Sequence, residues 1–395
     1  NYTDVYYNEE IVAGMSFMAA TATTDQVDKF TLRAGDTIIT KDSETADDIA
    51  ISAYVPQDLP GVVCGYHLSL IRPRDGIDGR FIKRLFDSHF ARATLGIAAN
   101  GLTRYGLSQY PLNNFELPLP PAGEQTAIAT FLDRETAKID TLVADYRTLI
   151  ELLQEKRQAV ISHAVTKGLD PTVPLKDSGV EWLGDVPEHW EVGSVRRFSA
   201  SVETGSTPLT YKPLDEGDGV MDWFTPGDFD GSVVLSRAAK RLSKAALEAR
   251  EAPVFPANCV LVVSIGATLG KVGYCGVECS ANQQINAVIP GYNLSGQFLA
   301  YALCSRVDSM RVLSNASTIG IMNQEKTKAV PLVKPPLAEQ IGIVRFLDMQ
   351  SDRVDSLIND AKDAITLLQE RRSALISAAV TGKIDVRGLV ETEVA

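Results

Sequence analysis

The sequence contains a long internal repeat, which limits what the chain can fold into more than any other feature. Residues 120–166 (PPAGEQTAIATFLDRETAKIDTLVADYRTLIELLQEKRQAVISHAVT) align without a gap to residues 335–381 (PPLAEQIGIVRFLDMQSDRVDSLINDAKDAITLLQERRSALISAAVT). About half of the roughly 47 positions are identical, far beyond chance for a repeat of this length. The chain is therefore a tandem duplication.

Each copy of the repeat is predicted to form one long helix. A Pro-Pro pair disfavours helix before each copy, and Glu and Gln follow in the first turn, where they suit the positive end of the helix dipole. Apolar residues then recur three and four positions apart, the heptad pattern of a coiled coil. The predicted seam consists of Ile128, Leu132, Ile139, Leu142, Leu149 and Leu153 in the first copy and Ile343, Leu347, Val354, Leu357, Leu368 and Leu375 in the second.

The two helices are predicted to pair with each other. A helix of about 40 residues is roughly 60 Å long, and the other copy is the obvious partner of similar length. Because a domain separates the copies, the helices can run antiparallel. Glu135 and Gln350 share one position of the repeat, and Lys156 and Arg371 share another. We hypothesise that these four residues fix the antiparallel orientation.

The segments that precede the two helices repeat more weakly. Phe81-Ile82 matches Phe298-Leu299, and Cys64 matches Cys279. Short apolar strands are predicted at 36–40, 62–64, 260–265 and 285–289, with one short helix near 79–95 and another near 296–313. The predicted fold class is α+β, with two globular domains of common ancestry separated by the two long helices.

The predicted boundaries follow the repeat. The first domain occupies residues 1–119, the first spacer helix 120–170, the second domain 171–332, the second spacer helix 333–385 and a tail 386–395. The segment 178–192 opens the second domain and has no counterpart before residue 1. The repeat therefore predicts roughly 30 to 45 further residues upstream.

Composition limits the class of protein and its partners. Hydrophobic residues make up 45% and charged residues 22%, as in ordinary globular proteins. No apolar run reaches the roughly 18 to 20 residues that span a bilayer, and the first ten residues do not resemble a signal peptide. We therefore expect a cytoplasmic protein with no membrane partner. The formal net charge of −12 opposes DNA binding unless the reading faces are locally basic.

The five cysteines are scattered along the chain. Cys275 and Cys279 are separated by three residues, without a second pair or a nearby histidine. Because zinc sites of known type pair their cysteines more regularly, the sequence predicts reduced, mostly buried thiols and no metal.

Several segments resemble the specificity (S) subunit of type I restriction-modification enzymes. SGVEWLGDVPEHWEV (178–192) resembles that family's domain-entry segment, and PLPPAGEQTAIATFLDRETAKID (118–140) and LLQEKRQAVISHAVTKG (152–168) resemble its conserved helices. SIGATLGKVGY (264–274) and NQQINAVIP (282–290) resemble the core of one target recognition domain. The resemblance covers essentially the whole chain, although ITKDSETADDIAISAYV (39–55) replaces the glycine-rich segment in the first domain.

This resemblance implies a non-catalytic subunit of a phage-defence system. Each target recognition domain would read one half of a bipartite site in double-stranded DNA, and the antiparallel helices would set the spacing. Two modification subunits would dock to make an adenine methyltransferase, with S-adenosylmethionine bound by those partners and no cofactor in this chain. Restriction subunits, where present, would add ATP-dependent translocation and cleavage.

Candidate DNA-reading residues in the second domain are the hydroxyl, amide and lysine side chains of its predicted loops, because such groups contact phosphates and base edges. They are Thr204, Ser206, Thr207, Lys212, Thr268, Lys271, Asn282, Gln283 and Gln284. A simple turn around 204–208, a tight hairpin at the glycines of 264–271 and buried hydrogen-bonding roles for the amides remain alternatives.

Candidates in the first domain are fewer, because its sequence departs further from the family. They are Lys41, His67, Arg72, Arg74, Arg104 and Tyr105. Solvated surface charges with no ligand are the alternative interpretation.

Enzymatic functions are not supported by any motif. The sequence has no Asp/Asn-Pro-Pro-aromatic methyltransferase loop, nucleophile elbow, HExxH or Walker motif, and the segment 264–271 lacks the spacing of a phosphate loop. A protein-only coiled-coil scaffold, whose two domains bind peptides, remains the alternative function and is mildly favoured by the acidic charge.

Overall fold

The computed structural model describes residues 1–181, 183–210, 213–215, 219–314 and 320–389. The chain divides into two units, of which the first comprises residues 1–149 and 360–395 and the second residues 150–359. The division cuts through both long helices, whereas the sequence assigned each helix to a segment of its own. Each unit therefore contains a globular domain and a piece of each helix.

Six α-helices and seven strands begin in the first unit within the described residues, and the sixth helix continues into the second unit. The helices are α1 (Tyr2–Tyr7), α2 (Thr24–Phe30), α3 (Gly79–Asp87), α4 (His89–Ala98), α5 (Gln109–Asn113) and α6 (Ala122–Lys167). The strands are β1 (Thr31–Leu32), β2 (Thr37–Thr40), β3 (Asp42–Ser43), β4 (Ser52–Tyr54), β5 (Leu59–Val63), β6 (Leu68–Ile71) and β7 (Tyr105–Gly106).

The central sheet of the first unit is antiparallel, in the order β4-β2-β6. Successive side chains of β2 point to opposite faces, and both faces are buried. Ile39 lies in a core with Phe81 and Leu85 of α3, while Ile38 lies in a second core with Val5 of α1. The sheet is thus covered on both sides, which explains why all four residues of β2 are buried.

The second unit carries the other strands and helices. Its strands are β8 (Leu175–Asp177), β9 (Asp185–Pro187), β10 (Glu191–Ser194), β11 (Ser199–Thr204), β12 (Leu214–Asp215), β13 (Met221–Phe224), β14 (Lys240–Leu242), β15 (Cys259–Val263), β16 (Val272–Cys275), β17 (Ser280–Ala281), β18 (Ile285–Pro290) and β19 (Pro331–Lys334). Its helices are α7 (Val195–Phe198), α8 (Lys244–Glu248), α9 (Gly296–Cys304), α10 (Val307–Ser314), α11 (Gln324–Ala329) and α12 (Leu337–Val380), the last of which continues into the first unit.

The main sheet of the second unit repeats the plan of the first. Its strands lie in the order β11-β18-β15-β16, all antiparallel. Val260 and Val262 of β15 face a core that includes Phe298 of α9, and Leu261 and Val263 face a second core. The predicted α+β class is confirmed in both units, and the paired strands β2 and β6 correspond to β15 and β18.

Each long helix begins with a buried glutamine that holds the neighbouring domain. Gln125 donates to the Pro120 carbonyl oxygen at 2.7 Å and accepts from the Asp78 backbone N–H at 2.9 Å. Gln340 donates to the Pro335 carbonyl oxygen at 2.8 Å and accepts from the Ser295 backbone N–H at 2.8 Å. Because Asp78 and Ser295 are the N-caps of α3 and α9, one docking contact is made twice.

A second docking contact is also duplicated. Asp133 of α6 accepts two hydrogen bonds from Arg84 of α3, at 2.9 and 3.0 Å. Asp348, its repeat equivalent in α12, accepts from the hydroxyl of Tyr301 in α9 at 2.7 Å. Both copies of the repeat therefore have an aspartate at this position, whereas the hydrogen-bond donor on the domain is Arg84 in one unit and Tyr301 in the other.

Within each unit, the start of one long helix packs against the end of the other. In the first unit Ile128 and Leu132 share a core with Ile376 and Val380. In the second unit Ile161 and Val165 share a core with Ile343 and Leu347, while Leu153 packs with Val354 and Ile358. The predicted antiparallel pairing is therefore confirmed in both units.

The ion pairs between the helices differ from those hypothesised. Glu135 pairs with Arg134 and Lys138 of its own helix. The helices are joined by Arg372 with Asp140 in the first unit, at 3.0 Å, and by Arg157 with Asp355 in the second. Asp140 and Asp355 occupy equivalent repeat positions, as do Arg157 and Arg372, so these two pairs are the same contact made twice.

In the middle of the helices, three residues that were predicted to lie in the seam are exposed. Leu142, Leu149 and Leu357 are 47%, 42% and 44% exposed. Val143 and Ile358, one position later, are buried instead. Leu142 and Val143 are both apolar and follow Ile139 by three and four residues, so either of them fits the heptad pattern and the sequence does not show which one is buried. Of the other predicted seam residues, Leu368 and Leu375 are half-buried and the rest are buried.

The single helix expected in each domain is divided in two. Ser88 ends α3 and caps α4 by accepting from the Ala91 backbone N–H at 3.2 Å. In the second unit α9 ends at Cys304 and α10 begins at Val307. A serine can cap a new helix with its own side chain, and the hydrophobic pattern does not reveal such a break.

No helix in the described ranges combines the length and apolarity needed to cross a bilayer.

Truncating Leu132 is expected to test the corrected seam. Leu132 is fully buried, so Leu132→Ala should lower the free energy of unfolding by about 2 to 5 kcal/mol. Leu142→Ala, at an exposed position predicted for the same seam, is the matched control and should cost under about 1 kcal/mol. Urea denaturation measures both values, and equal losses would contradict the assigned seam.

Removing the buried glutamine tests the docking contact. Gln340→Ala is expected to lower the free energy of unfolding by about 2 to 4 kcal/mol, because it leaves buried backbone groups without hydrogen-bond partners. Gln369→Ala, at an exposed position of the same helix, should change the unfolding midpoint very little. A neutral Gln340→Ala variant would show that the contact does not hold domain and helix together.

Candidate nucleic-acid interface

The first domain gathers polar side chains at one end of the strand pair β2 and β6. Lys41 follows β2 and His67 precedes β6, and the Lys41 backbone N–H donates to the His67 carbonyl oxygen at 3.2 Å. The Lys41 ammonium lies 4.5 Å from the centroid of the Tyr66 ring. Strand β7 brings Tyr105 to the same end by pairing with β3. Edge 1 is defined as Lys41, Tyr66, His67, Arg104 and Tyr105.

Two contacts hold the side chains of edge 1. His67 Nδ1 lies 2.8 Å from an Asp42 carboxylate oxygen, which fixes the imidazole ring. Tyr66 is 81% exposed and packs edge-on against that ring. Arg104 is exposed beside Tyr105. An exposed aromatic ring with a cation over it offers a stacking surface for a base.

Arg72 and Arg74 are not part of edge 1. They follow β6 and so lie beyond its opposite end from His67. The Arg72 guanidinium makes two hydrogen bonds to Asp36, at 2.7 and 2.8 Å, and Asp36 is 1% exposed. These bonds raise the pKa of Arg72 above its usual value. Arg72 therefore neutralises a buried carboxylate, and Arg74 is simply exposed.

The second domain has an equivalent edge at the same end of β15 and β18. The Ser264 backbone N–H donates to the Gln284 carbonyl oxygen at 2.7 Å, and the Met322 N–H donates to the Ser264 carbonyl oxygen at 2.8 Å. The first domain makes the same two bonds, since the Leu107 N–H donates to the Lys41 carbonyl oxygen at 2.7 Å. Edge 2 is defined as Thr204, Thr207, Ser264, Gln283 and Gln284. Lys41 thus corresponds to Ser264.

Gln283 is the exposed amide of edge 2. The Thr207 hydroxyl donates to its Oε1 at 2.5 Å, which orients the amide and leaves its nitrogen without a hydrogen bond within the described residues. Thr204 donates to Asn286 at 2.9 Å, and the Asn286 amide nitrogen donates to the Met322 carbonyl oxygen at 2.7 Å. A cavity of about 420 Å³ borders Thr204, Ser264 and Gln283.

Other candidates in the second domain make internal contacts. Asn282 is buried and donates to Gln284 at 3.2 Å, while Ser206 donates to the Glu251 carbonyl oxygen at 3.0 Å. The Lys271 ammonium donates to the Phe229 carbonyl oxygen at 2.6 Å, and Thr268 is half-buried. Lys212 lies outside the described residues.

The loop 264–271 is a hairpin connection between β15 and β16. Gly266 and Gly270 have φ values of +91° and +88°, a backbone region that favours glycine. The Gly270 N–H donates to the Val263 carbonyl oxygen at 2.9 Å. The glycines therefore close a turn, in agreement with the alternative interpretation of the sequence.

Comparison with known protein families identifies the family of the chain that carries these two edges. The family model described as the type I restriction modification DNA specificity domain matches residues 1–151 and 187–367. The chain belongs to this family. The match covers both domains together with most of each long helix.

Individual relatives agree with that membership. The chain is 22% identical to the putative MjaX specificity subunit of Methanocaldococcus jannaschii, over 92% of this chain and 81% of that protein. It is 24% identical to the EcoBI specificity subunit of Escherichia coli, over 80% of this chain and 68% of that protein. The predicted resemblance is confirmed, as is the prediction of a non-catalytic specificity subunit.

Solved structures of similar chains share the fold. The HsdS subunit from Thermoanaerobacter tengcongensis aligns with a TM-score of 0.52 at 21% identity, over 90% of this chain and 82% of that one. A chain from a type I restriction-modification system, solved in work on complex assembly and conformational transition, aligns with a TM-score of 0.66 at 21% identity, over 90% of this chain and 83% of that one.

Two residues of the edges, Tyr66 and Ser264, were not among the candidates predicted from the sequence. Tyr66 stands in a Gly-Tyr-His turn beside the candidate His67, and an exposed aromatic in a turn was an available signal. Ser264 carries no such signal, because only the strand register equates it with Lys41.

Gln283 is expected to affect base preference. An exposed, oriented amide suits the donor and acceptor pair of an adenine edge, and a good bidentate contact contributes about 1 to 3 kcal/mol of discrimination. Gln283→Ala in the assembled complex should therefore reduce discrimination at one base position by roughly 5- to 150-fold. Competition binding to duplexes that differ at single positions measures this.

Two further variants make that test specific. Gln369→Ala, at an exposed position of α12, should leave base preference unchanged. Lys271→Ala should weaken binding to all sequences alike, because an exposed ammonium contacts phosphate and does not read base edges. Unchanged preference in Gln283→Ala at every position would remove this residue from the interface.

Proposed function

We propose that this chain recognises a bipartite target in double-stranded DNA, with edge 1 and edge 2 each reading one half. The observation that carries the proposal is the equivalence of the two edges. Both lie at the same end of corresponding strand pairs and are held by the same backbone hydrogen bonds. One scaffold used twice with different side chains is what two half-sites of different sequence require.

The two edges differ in chemistry. Edge 1 carries Lys41, His67 and Arg104 around aromatic rings, whereas edge 2 consists of hydroxyls and amides. Cations suit guanine edges and phosphates, while amides suit adenine. We therefore expect the two half-sites to have different base content.

The long helices act as a spacer in this proposal. Each helix docks to its own domain through a buried glutamine and an aspartate, and pairs with the other helix in both units. Rigid paired helices would fix the number of base pairs between the half-sites.

Partner subunits supply the chemistry. Two modification subunits would methylate adenine in the target, and they would bind S-adenosylmethionine. Restriction subunits would join in complexes that cleave DNA. We place the assembly in the cytoplasm, where DNA and the methyl donor are both available.

Lengthening both helices tests the spacer role. Insertion of one seven-residue heptad after Leu149 and another after Asn359 keeps the packing of each unit and adds about 10 Å. The spacer of the preferred DNA target should then grow by about three base pairs, since each base pair adds about 3.4 Å. Selection from a duplex library with varied spacer length measures the change.

The control insertion places seven residues in the exposed segment 170–174, outside the helices. It should leave the spacer length unchanged. An unaltered spacer in the helix-insertion variant would contradict the proposed spacer role.

Salt dependence separates DNA recognition from the protein-only scaffold. Binding through phosphates should weaken steeply between low and moderate salt. A scaffold would retain no DNA at any salt concentration, even with its partner subunits present.

A further inference from the structure

Three cysteine side chains of the second domain meet in one place. Cys259 begins β15 and Cys275 ends β16, and the two residues face each other in the antiparallel register. Cys279 follows the turn after β16 and is held by paired backbone hydrogen bonds to Phe255, at 2.8 and 3.1 Å. The three sulfur atoms all lie within 4.8 Å of one another, and those of Cys259 and Cys279 are 3.6 Å apart.

The backbone around these thiols is fixed and their surroundings are apolar. Cys259, Cys275 and Cys279 have no exposed surface and share a core with Phe224 and Phe255. Cys64 and Cys304 lie elsewhere, and burial raises the pKa of each to about 12. Within the described residues, no other group of three potential ligands is this close.

The spacing of the sulfurs matches that of ligands on one small soft cation. Zinc–sulfur bonds are about 2.3 Å long, which places two thiolates of a tetrahedral ion about 3.8 Å apart. The Cys259–Cys279 distance of 3.6 Å is within 0.2 Å of this value. Only small side-chain rotations are needed to bring the third sulfur to the same distance, because all three sulfurs already lie within 4.8 Å.

We propose that Cys259, Cys275 and Cys279 form a three-thiolate zinc site that ties β15, β16 and the segment around Phe255 together. Zinc suits these three thiolates better than a monovalent soft ion does. Three thiolates leave one net negative charge with zinc and two with a monovalent cation, and buried charge is costly. The exposed turn 276–278 joins two of the ligands and gives the ion a short route into the core.

Binding is balanced by proton release. Zinc binds thiolates, so each thiol that is protonated beforehand loses its proton to solvent. Three thiols that become zinc-bound thiolates release three protons to solvent for each zinc ion. The fourth position of the ion is left for a water molecule or another small ligand.

The test uses the full chain, reduced and freed of metal. After addition of zinc and gel filtration, elemental analysis should find one zinc per chain. Replacement by cobalt(II) should give intense thiolate-to-metal charge-transfer absorption. The midpoint of thermal unfolding should rise with free zinc, because a ligand that binds only the folded state stabilises it.

Matched variants assign the ligands. Cys279→Ser should weaken zinc binding by more than about 100-fold, beyond the loss typical of an outer-shell change. Cys304→Ser, at a half-buried cysteine outside the cluster, should bind zinc as the parent chain does. Far-ultraviolet circular dichroism verifies that both variants are folded.

Three results would overturn the proposal. The parent chain would retain less than one zinc after gel filtration, or its cobalt form would lack thiolate charge-transfer absorption. Alternatively, Cys279→Ser would retain zinc as tightly as the parent. The first two measurements need no variant, so the proposal can be tested even if Cys279→Ser does not fold.

Discussion

The structure depends on one contact used twice, the docking of each globular domain onto the start of its own long helix. A buried glutamine at this position satisfies the backbone N–H of a domain helix cap and a carbonyl oxygen before its own helix. Such groups would be costly to bury without partners. A nearby aspartate adds a second bond to the domain.

This arrangement explains which features of the sequence have been kept between the two copies. The helices must pair and dock, so Gln125 and Gln340, Asp133 and Asp348, and the interhelical Asp and Arg positions are identical in both copies. The polar edges are free to change, because the hydrogen bonds that place the two edges are made by backbone groups and do not depend on the side chains. Lys41 in one domain and Ser264 in the other occupy the same place with different chemistry.

The sequence predicted the features that depend on periodicity and repetition. Two long helices, their antiparallel pairing and the α+β class follow from the heptads and from the duplication. The choice between Leu142 and Val143 as the buried residue does not, because both are apolar and either continues the three-and-four spacing. The role of Arg72 depends on a distant aspartate, and the cysteine cluster depends on strand register. The order of residues along the chain reveals neither a contact with a distant residue nor the register of two strands.

The acidic composition opposes DNA binding less than the net charge suggests. Asp36, Asp87, Asp133 and Asp140 are all paired with arginine or lysine in the first unit. Burial by itself would raise the pKa of Asp87, but the neighbouring Lys83 and Arg84 outweigh it and hold the pKa below the usual value. These ion pairs leave the net charge of −12 unchanged, but the residues of edge 2 are uncharged and edge 1 carries Lys41 and Arg104 beside His67.

The central claim is that one chain reads two separate short sequences. Mapping methylated adenines across the genome of cells that contain the complex, with and without this chain, tests it most directly. The account predicts a motif of two specified halves with a fixed, unspecified gap, present only when the chain is present. A single continuous motif, or methylation that persists without the chain, would contradict it.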